Sequence, residues 1–285
     1  MELPLILVTN DDGIGSEGLW ATVEALLPLG EVMVVAPDRQ WSGGGRSMPP
    51  HVTGRIVPSD REVSGERVAA YAVDASPALA VQHGVLELAP RRPALVVSGI
   101  NVGVNLGTEV TISGTIGAAF EASAFGIPAL AVSLEEEATE TAAAKAFVQR
   151  FACYLLAYAL PYDVDVLSIN IPSDATPRTM WRLTRLSRHR YFIPQAPDRD
   201  RGEGRPTYRR VEDVAHAQEA ELDTDVWTVM VERAVSVTPL SLDMTSRVNL
   251  RPTAQRFRAG LAECQDWLTS LSMLLPRQVP SSLVS

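Results

Sequence analysis

A chain of 285 residues that is 46% hydrophobic can bury one large core or two modest ones. Its formal net charge of −9 repels polyanions at long range, which argues against a stable nucleic-acid complex or an anionic membrane as partner. Lys145 is the one lysine, so a small phosphorylated ligand would be met by backbone amides and a cation rather than by a lysine cluster. No apolar run reaches the length of a bilayer span, and the N-terminal segment lacks a basic leader, so the expected location is the cytoplasm. Cys153 lies in an apolar run and Cys264 in an amphipathic stretch; both are expected to be small buried hydrophobes in a reducing compartment.

Leu5 to Val8 is a continuous apolar run ended by a turn, which reads as a strand buried on both faces. Helical spacing follows at Leu19, Val23, Leu26 and Leu27, then a second buried strand at Val32 to Val35. Leu95 to Val97, Ala129 to Val132 and Val166 to Ile169 repeat the strand pattern. Helical segments fall near 76–88 and 115–126, and a longer one carries an apolar stripe of Phe147, Phe151, Tyr154, Leu155 and Tyr158. Strands alternating with helices predict a doubly wound, mostly parallel α/β sheet over 1–172.

Residues 173–248 read as a β-rich arm and a return to the core. Trp181 to Leu186 and Val226 to Val231 are expected to pair as strands, and the polar stretch from Pro194 to Pro206 to form a long loop or hairpin tip. Over 249–285 the residues Phe257, Leu261, Cys264, Leu268, Leu271 and Leu275 step by fours and threes, a narrow heptad seam opened by Pro252. Such a seam suits another helix of the same chain or a partner subunit; because a helix packed into its own domain presents a wider apolar face, it is expected to meet a second subunit.

Four motifs carry chemistry. Thr9-Asn10-Asp11-Asp12-Gly13 ends the first strand, and adjacent aspartates converge only where the chain turns. Two carboxylates together suit a hard cation such as Mg²⁺ or Mn²⁺, although these residues alone fit a polar turn equally well. Ser42-Gly43-Gly44-Gly45 follows the second strand and exposes backbone amides to a phosphate; it is neither a Walker A loop nor a dinucleotide fingerprint. Asn101 and Asn105, interleaved with glycines, follow the strand at Leu95 to Val97. Ser113-Gly114-Thr115 opens a helix, where free amides make an anion site. The first three motifs follow strands of one sheet, so they gather at its carboxyl edge.

Together these motifs resemble the SurE family of survival-protein nucleotidases. The likeness runs through Val8 to Ile14, Ala36-Pro37-Asp38-Arg39 with Ser42-Gly43, Val97 to Asn101 with Asn105-Leu106-Gly107, and Ser113-Gly114-Thr115. It continues through Asn170-Ile171-Pro172, Thr184-Arg185-Leu186, Asp223-Thr224-Asp225 and Ser236 to Leu240. The resemblance implies a Rossmann-like core, a homodimer or homotetramer, and hydrolysis of nucleoside 5′- and 3′-monophosphates with one divalent metal ion per subunit. It puts the metal ligands on Asp11, Asp12, Ser42 and Asn101, with the two aspartates catalytic, and the substrate-phosphate contacts on Gly43, Asn105, Ser113, Gly114 and Thr115. The sequence departs from the family pattern at Arg46, where histidine is usual, at Leu79, where an acid is usual, at Ile112, where an aromatic is common, and around Thr207 to Arg210. These departures leave a rival reading, a non-catalytic regulator that binds metal and nucleotide. An aspartyl-phosphate mechanism would need an Asp-x-Asp-x-Thr spacing that the sequence lacks.

Overall fold

The first strand, β1 (Leu5–Thr9), is buried along its whole length because its side chains alternate between two cores. Ile6 and Val8 enter one and Leu5 and Leu7 the other, which is why the sequence reads as an unbroken apolar run. The structure is a computed structural model describing residues 3–188, 192–201, 204, 207–210 and 217–274, with the backbone alone at 207–210 and 265–274.

Among the described residues the main sheet has ten strands. From β1 the chain passes through α1 (Glu17–Leu26) to β2 (Glu31–Pro37), then to β3 (Ile56–Pro58), β4 (Arg61–Val63) and β5 (Glu66–Val73). After α2 (Pro77–His83) it crosses to the other side of β1 and forms β6 (Leu95–Val102), α3 (Gly114–Ala124), β7 (Ala129–Leu134), α4 (Ala142–Ala157) and β8 (Val166–Ile171). The six strands β5, β2, β1, β6, β7 and β8 are parallel neighbours in that order. α1 and α4 cover one face and α2 and α3 the other. The predicted doubly wound, mostly parallel α/β fold is therefore the observed one. Its strand order reverses between β1 and β6, where such sheets bind ligands.

Past Pro172 the structure differs from the expected arm. Trp181–Leu183 is a strand, but its partner is Val235–Leu240, which also pairs antiparallel with β8 and so joins the main sheet. Where Val226 to Val231 was expected as a strand, the chain forms the helix Asp225–Met230. Thr224 caps it through an oxygen that accepts from the Trp227 amide at 3.5 Å, and Val226 and Val229 bury one helical face. Its β-branched residues concealed that cap. Phe192–Gln195 and Thr207–Arg210 pair antiparallel about the polar stretch, in place of the flanking strands expected.

Two further expectations fail, and one strand has no signal in the sequence, for physical reasons. β5 was not foreseen, because alternation there rests on small residues, with Val68, Ala70 and Ala72 buried and little contrast to mark a strand. On α4 the buried stripe is Ala144, Phe147, Val148, Phe151, Ala152 and Leu155, while Tyr154 and Tyr158 are exposed. Tyr154 precedes Leu155 by a single residue and so points about 100° away, and Tyr158 has left the helix at φ −132°. Cys153 and Cys264 are both exposed free thiols, since Cys153 lies off the same stripe.

The chain divides into two units, Met1–Leu242 and Asp243–Ser285. In the second, a helix spans Leu250–Leu274, and Phe257 and Leu261 are 65% and 69% exposed. Leu275 lies outside the described residues, as do the side chains of Leu268 and Leu271. No helix among the described residues is long and apolar enough to cross a membrane.

Candidate functional site

Where β1 ends, the chain turns on Asn10, whose side-chain oxygen accepts from the Gly13 amide at 3.1 Å and whose amide donates back to the Gly13 carbonyl at 3.0 Å. This turn lets Asp11 and Asp12 follow one another without lying on opposite faces of a strand. Asp11 is buried and Asp12 half-buried. Thr115 donates its hydroxyl to Asp11 Oδ1 at 2.6 Å. Gly114 sits directly against the same carboxylate: a Cβ there would lie 2.7 Å from Asp11 Cβ and 2.8 Å from Oδ2. The first turn of α3 thus closes on Asp11, and its hydroxyl holds one carboxylate oxygen.

The glycine-rich loop reaches the same point from β2. The Trp41 amide donates to the Asp11 carbonyl at 2.7 Å, which sets Ser42 immediately beyond Asp11. Gln40 Nε2 approaches Asp12 Oδ1 at 3.4 Å. Ser42 and Gly43 are exposed, and Gly43 holds φ +75°, a conformation that favours glycine.

From the other side comes β6. Its register with β7 shifts between Ser98 and Asn101, a bulge of the kind that re-aims side chains beside a site. Gly99 at φ +129° makes the bulge, and a Cβ there would lie 2.3 Å from the Val132 carbonyl oxygen. Asn101 donates its amide to the Gly103 carbonyl at 2.7 Å, which leaves its oxygen as the acceptor. The Val102 amide approaches Asp12 Oδ2 at 3.4 Å.

Asp11, Asp12, Ser42, Asn101, Gly114 and Thr115 are therefore tied together by contacts of their own or of their chain neighbours. Ser113 caps α3, its Oγ accepting from the Ile116 amide at 3.2 Å, so it belongs to the same turn. Asn105 stands apart. Its amide nitrogens bond to Asn170 Oδ1 and Ser133 Oγ, both at 2.7 Å, at the ends of β7 and β8. Asn170 and Ser133 were not singled out in the sequence as supports, and neither was Gln40. The triplet Asn170-Ile171-Pro172 held the signal for the first of these.

Electrostatically the pair is uncomfortable alone. Burial pushes Asp11 up to about 6, and the Asp12 charge adds to the rise against the Thr115 hydrogen bond. Burial raises Asp12 as well. Two adjacent carboxylates with a hydroxyl and an amide oxygen make a hard donor set that a divalent cation would relieve. Among the described residues no group of three or more His, Cys, Asp or Glu side chains gathers. A cation here would therefore rest on two acids and neutral oxygens.

The model of the family described as Survival protein SurE matches residues 6–192. The chain is 44% identical over 254 residues to the 5′-nucleotidase SurE of Thermococcus gammatolerans, covering 86% of this chain and 92% of that one. To the 5′-nucleotidase SurE of Thermococcus kodakarensis it is 43% identical over 255 residues, covering 86% and 95%. The crystal structure of the SurE protein from Aquifex aeolicus, 32% identical, matches with a TM-score of 0.65 over 85% of this chain and 95% of its own. Since the likeness runs through each strand end that frames the two aspartates, this chain belongs to the SurE family.

Proposed function

We propose that this chain is a phosphoric monoester hydrolase that releases phosphate from nucleoside 5′-monophosphates, and from 3′-monophosphates at the same site, with one Mg²⁺ or Mn²⁺ per subunit. The observation that carries this is the buried Asp11–Asp12 turn closed by Gly114 and Thr115 at the switch point of the sheet. The names of the relatives, 5′-nucleotidase SurE, agree with it. The donor set fits a hard cation: two carboxylates, Ser42 and Asn101 would hold it, and its charge would offset the burial that lifts Asp11 and the Asp12 charge beside it. When bound, such an ion supplies positive charge to a phosphate oxygen and makes a water more acidic.

The residues themselves do the remaining work. Thr115 fixes the rotamer of Asp11, and the Asn10 turn fixes Asp12 beside it. The positive end of α3, with Ser113, Gly114 and Thr115 in its first turn, favours the anionic phosphate. The exposed Gly43 amide and the braced Asn105 are further donors for its oxygens as charge redistributes. Helix Leu250–Leu274, with Phe257 and Leu261 exposed, supports a homodimer or homotetramer as the working form.

The test is phosphate release from a panel of nucleoside 5′- and 3′-monophosphates with Mg²⁺ or Mn²⁺ added, then with chelator. Turnover that chelator abolishes is expected. Nucleotide binding without any turnover would favour the regulator reading, and turnover indifferent to chelator would remove the metal.

A further inference from the structure

The loop that carries Ser42 and Gly43 is fastened on both sides. Before it, the Trp41 amide bonds to Asp11 and the Arg39 guanidinium pairs with Asp74 at 2.8 Å. After it, the Gly45 amide donates to the Ile112 carbonyl at 2.9 Å, and Ser76 Oγ donates to the Ser47 carbonyl at 2.7 Å. Gly45 also packs on α3: a Cβ at Gly117 would lie 2.4 Å from the Gly45 oxygen. The remaining fastening is a side-chain relay. Arg46 Nε donates to Glu121 Oε2 at 2.7 Å, and Gln82 Nε2 donates to Glu121 Oε1 at 2.8 Å. Glu121 is 4% exposed, so its charge depends on these two partners.

Glu121 lies seven residues after Gly114 on α3, about 10 Å along the axis at 1.5 Å per residue. It therefore acts at a distance from the reacting atoms. Its helix is nonetheless the one whose first turn holds Asp11. One rigid element thus fixes the carboxylate side of the site through Thr115 and the loop side through Glu121 and Arg46.

We infer that Arg46 and Glu121, with Gln82, are positioning residues that hold the Ser42–Gly43 loop against the Asp11–Asp12 turn and so set the affinity for the divalent cation. The inference rests on the cation site proposed above. It also gives Arg46, which departs from the family's usual histidine, a definite partner.

Full-length Arg46→Met, Arg46→Lys and Glu121→Gln would be compared with wild type by two readouts. Mn²⁺ binding, followed by the paramagnetic resonance signal of free Mn²⁺, should weaken about tenfold in Arg46→Met and Glu121→Gln, as for other supports of metal ligands. Arg46→Lys should recover part of that loss. Without metal, hydrogen exchange at the Gly44 amide, which donates to the Trp41 carbonyl at 2.9 Å, should quicken about tenfold in Arg46→Met. Folded variants that keep wild-type Mn²⁺ affinity and wild-type exchange would overturn the inference, even with a lowered melting temperature. If Arg46→Met does not fold, Glu121→Gln and Arg46→Lys decide by the same readouts. A wild type that binds no Mn²⁺ would fail the cation reading, and the exchange rates would then decide the loop clamp alone.

Discussion

Asp11 carries an energetic signature that can be measured without substrate. Burial holds its carboxyl at about 6, above its ordinary 3.8, so the native state binds a proton more tightly than the unfolded chain between those values. The unfolded state releases its proton first as pH rises, and stability falls through this window. In chelator, Asp11→Asn lacks that loss. The stability of the variant relative to wild type should rise by about 2 kcal/mol between pH 4 and pH 7. Urea melts across that range check it, and a constant difference would mean that Asp11 ionises as it does in water. Saturating Mn²⁺ should shrink the difference, because a cation favours the charged form.

At the scale of elements, α3 is the piece that assembles the site. Its first turn touches Asp11 with no room for a further carbon at Gly114. Gly114→Ala should therefore displace the carboxylate and lower kcat/KM by at least about tenfold, since small misplacements of reacting groups are costly. Its melting temperature should fall by several degrees, because Gly114 is buried and an extra carbon in a packed site costs about 1–3 kcal/mol. Activity within twofold of wild type would show that the contact is slack. Much of this element was legible beforehand, since Ser113-Gly114-Thr115 reads as a helix start, and β1 with its acidic turn reads as a buried strand and a metal motif. The Thr115–Asp11 bond was not legible, because it spans 104 residues and depends on how two elements pack. Asp225–Met230 was misread for the opposite reason: local β-branched content outweighed a cap that tertiary burial of Val226 and Val229 makes decisive. β5 escaped because alanine gives alternation almost no amplitude.

For the whole molecule, the sheet explains why residues from 11 to 115 meet at one point. β1 and β6 are parallel neighbours from which the chain continues into opposite halves of the sheet, and the loops after them face one crevice. The last helix belongs to a different question. Phe257 and Leu261 are exposed within one chain, and the proposed dimer would cover them. Phe257→Glu with Leu261→Glu should shift the mass toward monomer in light scattering coupled to size exclusion. A wild type that is monomeric at micromolar concentration, or a double variant of unchanged mass, would refute that assembly. The proposed activity stands on the Asp11–Asp12 turn holding the ion on which nucleotide hydrolysis depends. The most direct measurement is the initial rate of AMP hydrolysis by Asp12→Asn and wild type across a Mn²⁺ titration, with circular dichroism confirming the fold. The variant's rate should stay near background at every Mn²⁺ concentration that saturates wild type. A folded Asp12→Asn enzyme turning over AMP within a few-fold of wild type, with the same Mn²⁺ dependence, would contradict it.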